Sequence, residues 1–320
     1  MNLQDIQQKI SVVLGEHCSV QVYFVLKNDM SFKIRLADID SQETAPVVKA
    51  MFSEYISQLI LENEDLSLCN LSTADERTNA IYYYDYGEFP EELGLFRSFN
   101  INAAIRGDKF HFNNDDLNKL FGYIIYLGSM ETGIVLFKKH YPYSLIKRDS
   151  FLLGAIKSEH RFKKLDGDDI IRLNGSVQLM KLEDAIFVID LKVLERNFGF
   201  DKLIQRAADE TIQSVYEIGL LEDIQVLKDA AEDISFARKL SKVKNSSPIF
   251  SLNIPKNEIV EFTKNTSVLV GKFKYSPDGS SIRLDTKKSK EAFIKLLNDA
   301  FLRSELTKLY YDARAKDNLI

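Results

Sequence analysis

The stretch VQLMKLEDAIFVIDLKVLERNFG, residues 177–199, changes its period halfway. VQLMKL (177–182) and AIFVID (185–190) are short apolar runs of strand length. Past Asp190 the period switches from two to 3.6, so LKVLERNFG reads as a helix. That switch decides the fold, with strands leading up to Asp190 and helices following it. Upstream, 133–140, a segment around 151–163 and IIRL (170–173) read as further strands. Asn174-Gly175 is the strongest short hairpin signal in the chain and is expected to join two of them. An antiparallel meander is the economical interpretation. Downstream, DKLIQRAADETIQSVYEIGL and EDIQVLKDAAEDISFARKLSKVK read as helices, broken by Gly199 and Gly219. A short helix is expected over 255–264, then a hairpin turning at Ser276-Pro277-Asp278-Gly279. The last helix is placed over 288–303, with Phe293, Leu296, Leu297, Ala300 and Phe301 on one side. Leu309, Tyr310 and Tyr311 beyond it predict a C-terminus docked into the domain.

Working back from the strands, Asn114 is expected to cap a helix carrying Leu117, Leu120, Phe121 and Ile124. Residues 3–14 read as a helix, and VQVYFVLK (20–27) with SFKIRLA (31–37) as a hairpin around Asn28-Asp29. A helix follows over 44–63 with Pro46 in its first turn, then a strand, IYYYDY (81–86). The expected fold is therefore α+β. A small α+β domain spans 1–112, and in 113–320 an antiparallel β-meander packs with a C-terminal helical segment.

The two cysteines, Cys18 and Cys69, form no ligand cluster and point to a reducing compartment. MNLQDIQQKI has neither the basic nor the apolar region of a signal peptide. LFGYIIYLG (120–128) is far shorter than the roughly 20 residues of a spanning helix. A cytoplasmic protein is expected, touching a membrane only through a partner. The net charge of −5 hides segregation: 137–164 carries a balance of +6, 236–320 one of +8, and the remainder −19. Basic surfaces of this kind meet phosphates or acidic partners unless neighbouring acidic segments fold over them.

Signatures of catalysis are weak. GSMETG (128–133) lacks the Lys and Ser/Thr of a phosphate loop, and no Ser nucleophile elbow occurs. His140 and His160 read as polar strand residues on a solvated face. Asp166, Asp168 and Asp169, with Asp190-Leu191-Lys192 downstream, resemble the Mg²⁺-binding core of restriction-like nucleases. The simpler reading makes Asp190 a helix N-cap and Asp166-Gly167-Asp168 a turn. No catalytic residue, metal or cofactor is assigned. The candidate phosphate contacts are Lys138, Lys139, Lys147, Arg148, Arg161, Lys163 and Lys164, with Arg238, Lys239 and Lys242 on the helix ending FARKLSKVK. Lys287, Lys288 and Lys290 open the final helix, against its dipole.

One ordered series has a wider likeness: IYYYDYGEFP (81–90), GIVLFKKHYP (133–142), VQLMKLEDAIFVID (177–190), FARKLSKV (236–243) and LLNDAFLRSELTKLYY (296–311). It resembles the KwaB-like family of the Kiwa anti-phage system over about residues 81–317, and Ser304–Thr307 is its most recognisable match. The resemblance implies a non-enzymatic, DNA-binding effector subunit that restrains phage replication and transcription. It implies a KwaA-like multipass membrane protein as partner, sequence-independent contact with phage DNA, and a homodimer or higher homo-oligomer peripheral to the inner membrane. Against it stand two other readings: a metal-dependent nuclease using Asp168 or Asp169, Asp190 and Lys192, and a structural scaffold of the complex.

Overall fold

LFGYIIYLG does not form a helix. Asp116 caps a single 3-10 turn over Leu117–Lys119, and Leu120–Gly128 then runs as a strand buried at every position. A strand covered on both faces shows no polar alternation, so an apolar run of this length fits either element. The structure is a computed structural model describing residues 1–313 except 16, 29–30, 75–78, 112, 147–152, 157–160 and 165–169.

The chain divides into two compact units, Met1–Leu68 with Glu92–Val193 and Cys69–Glu91 with Leu194–Ile320. With elements numbered in chain order, the first unit begins with α1 (Leu3–Val13), β1 (Ser19–Asn28), β2 (Ser31–Leu36) and α2 (Thr44–Ile56). A reciprocal cap between Asn2 and Asp5 starts α1. A π turn over Ser57–Leu61 extends α2. The chain then crosses between units through β3 (Ser67–Asn70) and β4 (Ala80–Tyr83). Back in the first unit come α3 (Glu91–Ser98), α4 (Ile101–Ala104), β5 (Leu120–Gly128) and β6 (Gly133–Lys139). Two short pairs follow, β7 (Leu145–Ile146) with β10 (Ile170–Ile171) and β8 (Leu153–Ile156) with β9 (Arg161–Lys164). Finally β11 (Leu179–Leu182) and β12 (Ala185–Val188) form a hairpin.

Six strands of this unit lie in the order β2-β1-β5-β6-β11-β12, each antiparallel to its neighbours. A large antiparallel sheet is thus present, but the strands expected at 151–163 and 170–173 leave it for the separate β8–β9 and β7–β10 pairs, and the N-terminal hairpin joins it through β1, Ser19 facing Gly128. One face is covered by the α3–α4 segment, where Phe96 meets Phe137 and Phe99 meets Tyr23 edge-on. Lys181 on that face donates to the Arg97 and Phe99 carbonyls. The buried stripes of α1 and α2 pack along β6 and β1. Asn174-Gly175 is not a hairpin turn, because β10 pairs with β7 and β11 with β6 and β12. Gly175 has another reason to be glycine: a Cβ there would stand 2.7 Å from the Met51 carbonyl oxygen.

The second unit is mostly helical: α5 (Leu191–Asn197), α6 (Phe200–Ile218), α7 (Gln225–Ala231), α8 (Ile234–Ser246), α9 (Pro248–Ser251), α10 (Lys256–Asn265) and α11 (Lys287–Leu297). Gly199 and Gly219 bracket α6 in left-handed conformations. Along α6, Ile204, Ala208, Ile212 and Val215 are buried, as are Ala237, Leu240 and Val243 of α8. Thr211 ties the two helices by donating to the Leu240 carbonyl at 2.9 Å. The aromatic segment after β4 packs on the start of α6. Tyr84 stacks on Phe89 at 4.3 Å, and Tyr86 meets Phe200 edge-on at 5.2 Å.

Helix α11 stops at Leu297, six residues short of its expected end. Asp299 takes φ 50, and Phe301–Arg303 becomes β15, paired with β16 (Tyr310–Asp312). A residue at positive φ ends the helical register, so Phe301 cannot continue the apolar stripe. The expected burial of the tail residues is also overturned. Leu306 is 92% exposed, and Leu309 and Tyr311 are exposed as well. Backbone pairing holds this hairpin, with the Ala313 N–H donating to the Ala300 carbonyl. Among the described residues no helix is long and apolar enough to cross a membrane.

Candidate nucleic-acid interface

One irregularity in the β1–β5 ladder organises the basic end of the first unit's sheet. Val25 faces Gly122, yet Leu26 faces Leu120, so Phe121 is the extra residue of a bulge. A bulge re-aims its side chain. The Phe121 ring meets Phe32 at 5.0 Å and Phe137 at 6.1 Å. Two ammonium groups lie against it: Lys139 Nζ is 3.5 Å from the ring centroid and Lys27 Nζ 5.6 Å. Lys27 is also 5.5 Å from the Phe32 ring. At the same end of the sheet Lys119 donates to the Asn28 side chain at 3.2 Å. Among the described residues no carboxylate forms an ion pair with Lys27, Lys119 or Lys139. Burial, reinforced by the Lys27 charge, pushes the Lys139 pKa down to about 8. Cation–π contact offsets part of that cost without neutralising either charge.

Lys138 points elsewhere. Its side chain is buried, and its ammonium donates to Asn174 Oδ1, to the Ser176 carbonyl at 2.7 Å and to Ser176 Oγ at 3.3 Å. Three donors with three acceptors leave nothing for a phosphate. Burial pulls its pKa down to about 8. His140 is buried too, correcting the solvated-face expectation, with Nδ1 2.8 Å from the Tyr123 hydroxyl. Gln178 accepts from the Lys139 backbone N–H, so β6 stays paired to its last residue.

Lys147 and Arg148 lie outside the described residues, as do His160, Asp166, Asp168 and Asp169. The same holds for the side chains of Arg161, Lys163 and Lys164, whose backbone forms β9. In the second unit, Arg238 Nε stands 2.9 Å from Oε1 of the buried Glu195. Burial raises the Glu195 pKa, while the charges of Arg238, Lys242 and Arg196 pull it back down. Lys239 and Lys242 are half-buried on α8. Arg238 therefore serves an internal carboxylate. Lys287 and Lys288 are exposed at the start of α11, where a Thr286–Ser289 capping box supplies the local hydrogen bonds.

Asp190 accepts from the Val193 N–H at 3.1 Å, as an N-cap does. Asp190→Ala should lower stability by about 1 kcal/mol in urea unfolding. Among the described residues no three His, Cys, Asp or Glu side chains are placed to hold a metal ion. No disulfide joins Cys18, which is buried, to Cys69, which is half-buried.

Of the ten residues read from the sequence, the structure places Lys139 in an open cationic site. Lys27 and Lys119 were missed because they sit in the part of the chain whose summed charge is acidic. Strand register brings them beside Lys139.

Residues 117–307 match the family described as Kiwa protein KwaB-like, and the chain belongs to that family. It is also 27% identical over 322 residues to Kiwa protein KwaB of Escherichia coli O55:H7 (strain RM12579 / EPEC), covering 100% of this chain and 99% of the relative. No solved structure matches the chain.

Proposed function

We propose that the chain is a non-enzymatic, DNA-contacting subunit of a Kiwa anti-phage complex. The observation that supports this reading is the pair of ammonium groups, Lys27 and Lys139, held against Phe121, with no carboxylate ion-paired to either among the described residues. Keeping two like charges together costs free energy, and an anion between them offsets that cost. A phosphodiester backbone supplies such anions in series. The cations of the site are lysine ammonium groups, which suit phosphates and carry no base-edge code, so the contact is independent of sequence. The chain's −5 charge keeps a single contact weak, and multivalency in a homo-oligomer beside a KwaA-like membrane partner strengthens it.

Binding of a short labelled duplex, followed by anisotropy against salt, tests the reading. Each phosphate neutralised contributes about −0.9 to the log–log salt slope. Lys139→Glu should weaken binding by about tenfold or more and flatten that slope by about one contact. Affinity should also fall as pH rises through about 8, where Lys139 releases its proton. An arginine keeps its charge there, so Lys139→Arg should remove that fall. Unchanged affinity and slope in Lys139→Glu would favour the scaffold reading. Mg²⁺-dependent cleavage of linear DNA that Asp190→Ala abolishes would favour the nuclease.

A further inference from the structure

Close after Lys139 in the chain stands an aromatic pair whose outer ring the protein does not bury. Tyr143 is 78% exposed, and its ring lies parallel to that of Tyr141, centroids 5.5 Å apart and planes 10° apart. Tyr141 follows Lys139 by two residues in extended backbone, φ −119 and ψ 135. Side chains two apart on an extended chain project to the same side, about 7 Å from one another. The pair is held by rigid backbone. Pro142 opens a 3-10 turn over Pro142–Ser144, and the Ser144 N–H donates to the Tyr141 carbonyl at 2.8 Å. The Ser144 carbonyl in turn accepts from the Arg172 N–H at 2.8 Å. Tyr143 is thus presented with one face on Tyr141 and the other toward solvent.

We propose that Tyr143 and Tyr141 form a base-stacking platform, so that the ligand of this site is single-stranded DNA with its phosphates on Lys139, Lys27 and Lys119. This deepens the DNA-contacting reading and rests on it. Aromatic platforms beside a cationic groove hold single strands, because every unpaired base offers a π-face. In a duplex those faces are already stacked on neighbouring bases, leaving Tyr143 nothing to cover. The phosphate contacts serve both forms, whereas the platform serves only one.

The full-length protein is titrated with a labelled oligo-dT strand, with the same backbone made abasic, and with a duplex. The expected order is oligo-dT tightest, with the abasic strand close to the duplex. Tyr143→Ala should weaken oligo-dT binding by about five- to hundred-fold and leave duplex binding unchanged. Tyr143→Trp should retain the oligo-dT affinity. The chain contains no Trp, so quenching of tyrosine emission by bound bases offers a direct readout, which Tyr143→Ala should diminish. Because Tyr143 is exposed, the variant should melt with the wild type. Equal loss for strand and duplex, or no loss for either, overturns the platform and leaves the phosphate contact standing. Failure of every DNA form to bind overturns both.

Discussion

Replacing Lys138 by Glu should strongly destabilise the first unit, while the neighbouring Lys139→Glu melts close to the wild type. The two residues are adjacent on β6 and point to opposite faces of the sheet. Lys138 is 8% exposed, with Asn174 Oδ1, the Ser176 carbonyl and Ser176 Oγ around its ammonium. A carboxylate there meets acceptors where it needs donors. An uncompensated buried charge of this kind costs about 3–5 kcal/mol. That is a large share of the roughly 5–15 kcal/mol that holds a domain together. Lys138→Met should be milder, about 1–3 kcal/mol, since Ser176 Oγ still donates to Asn174 at 2.7 Å and chiefly the Ser176 carbonyl loses its partner. Circular dichroism melts of the three variants check this ordering. If Lys138→Glu melts with Lys139→Glu, the internal ammonium site is misassigned. Charge reversal on this strand is therefore a test of DNA contact at Lys139 alone.

Gly128→Val should be equally damaging, through backbone and not charge. Gly128 ends β5 at φ +144, and a Cβ there would stand 2.3 Å from the Thr132 carbonyl oxygen and 2.5 Å from Gly133 Cα. Neither atom belongs to a side chain that can swing away. The turn beyond is closed by Ser129 N–H donating to the Thr132 carbonyl at 2.8 Å, and Ser19 Oγ donates to the Gly128 carbonyl. A valine must open the β5–β6 hairpin at its root. Strain at the disallowed φ costs about 1–3 kcal/mol and overpacking about 1–3 more. Gly94→Ala is the contrast. It sits in α3 with no atom within 4 Å of the added Cβ, and should gain about 0.5–1 kcal/mol from helix propensity. Urea midpoints that move together for the two variants would show that crowding at Gly128 is relieved by a shift of the turn.

Local chemistry was legible in the sequence, and pairing across long separations was not. The left-handed stops at Gly199 and Gly219, the Gly279 turn and the Asp190 cap each follow from a few adjacent residues. The α+β class followed from the change of period at Asp190. Burial on both faces erases the period that tells strand from helix. Leu117, Leu120, Phe121 and Ile124 have helical spacing, yet from Leu120 onward every residue of LFGYIIYLG is buried. Asn174-Gly175 failed for a different reason, since turn chemistry does not say which strands pair. The interface divides the same way. Lys139 stood out by its sequence neighbours, whereas Lys27, Lys119 and Phe121 join it only through the bulge that sets β1 against β5.

That pairing also governs how the molecule is made. β1 ends at Asn28 and its partner β5 begins at Leu120, so their ladder closes a loop of most of a hundred residues. Closing it costs entropy before any contact repays it, which slows the search. Because synthesis is vectorial, β1 waits as an open hydrophobic edge until β5 has left the ribosome, and the sheet is complete only once Val188 has followed. Residues Cys69–Glu91 wait longer, since the unit they belong to resumes at Leu194. Nascent chains arrested between Asn28 and Leu120 are therefore the species in which aggregation or chaperone capture concentrates.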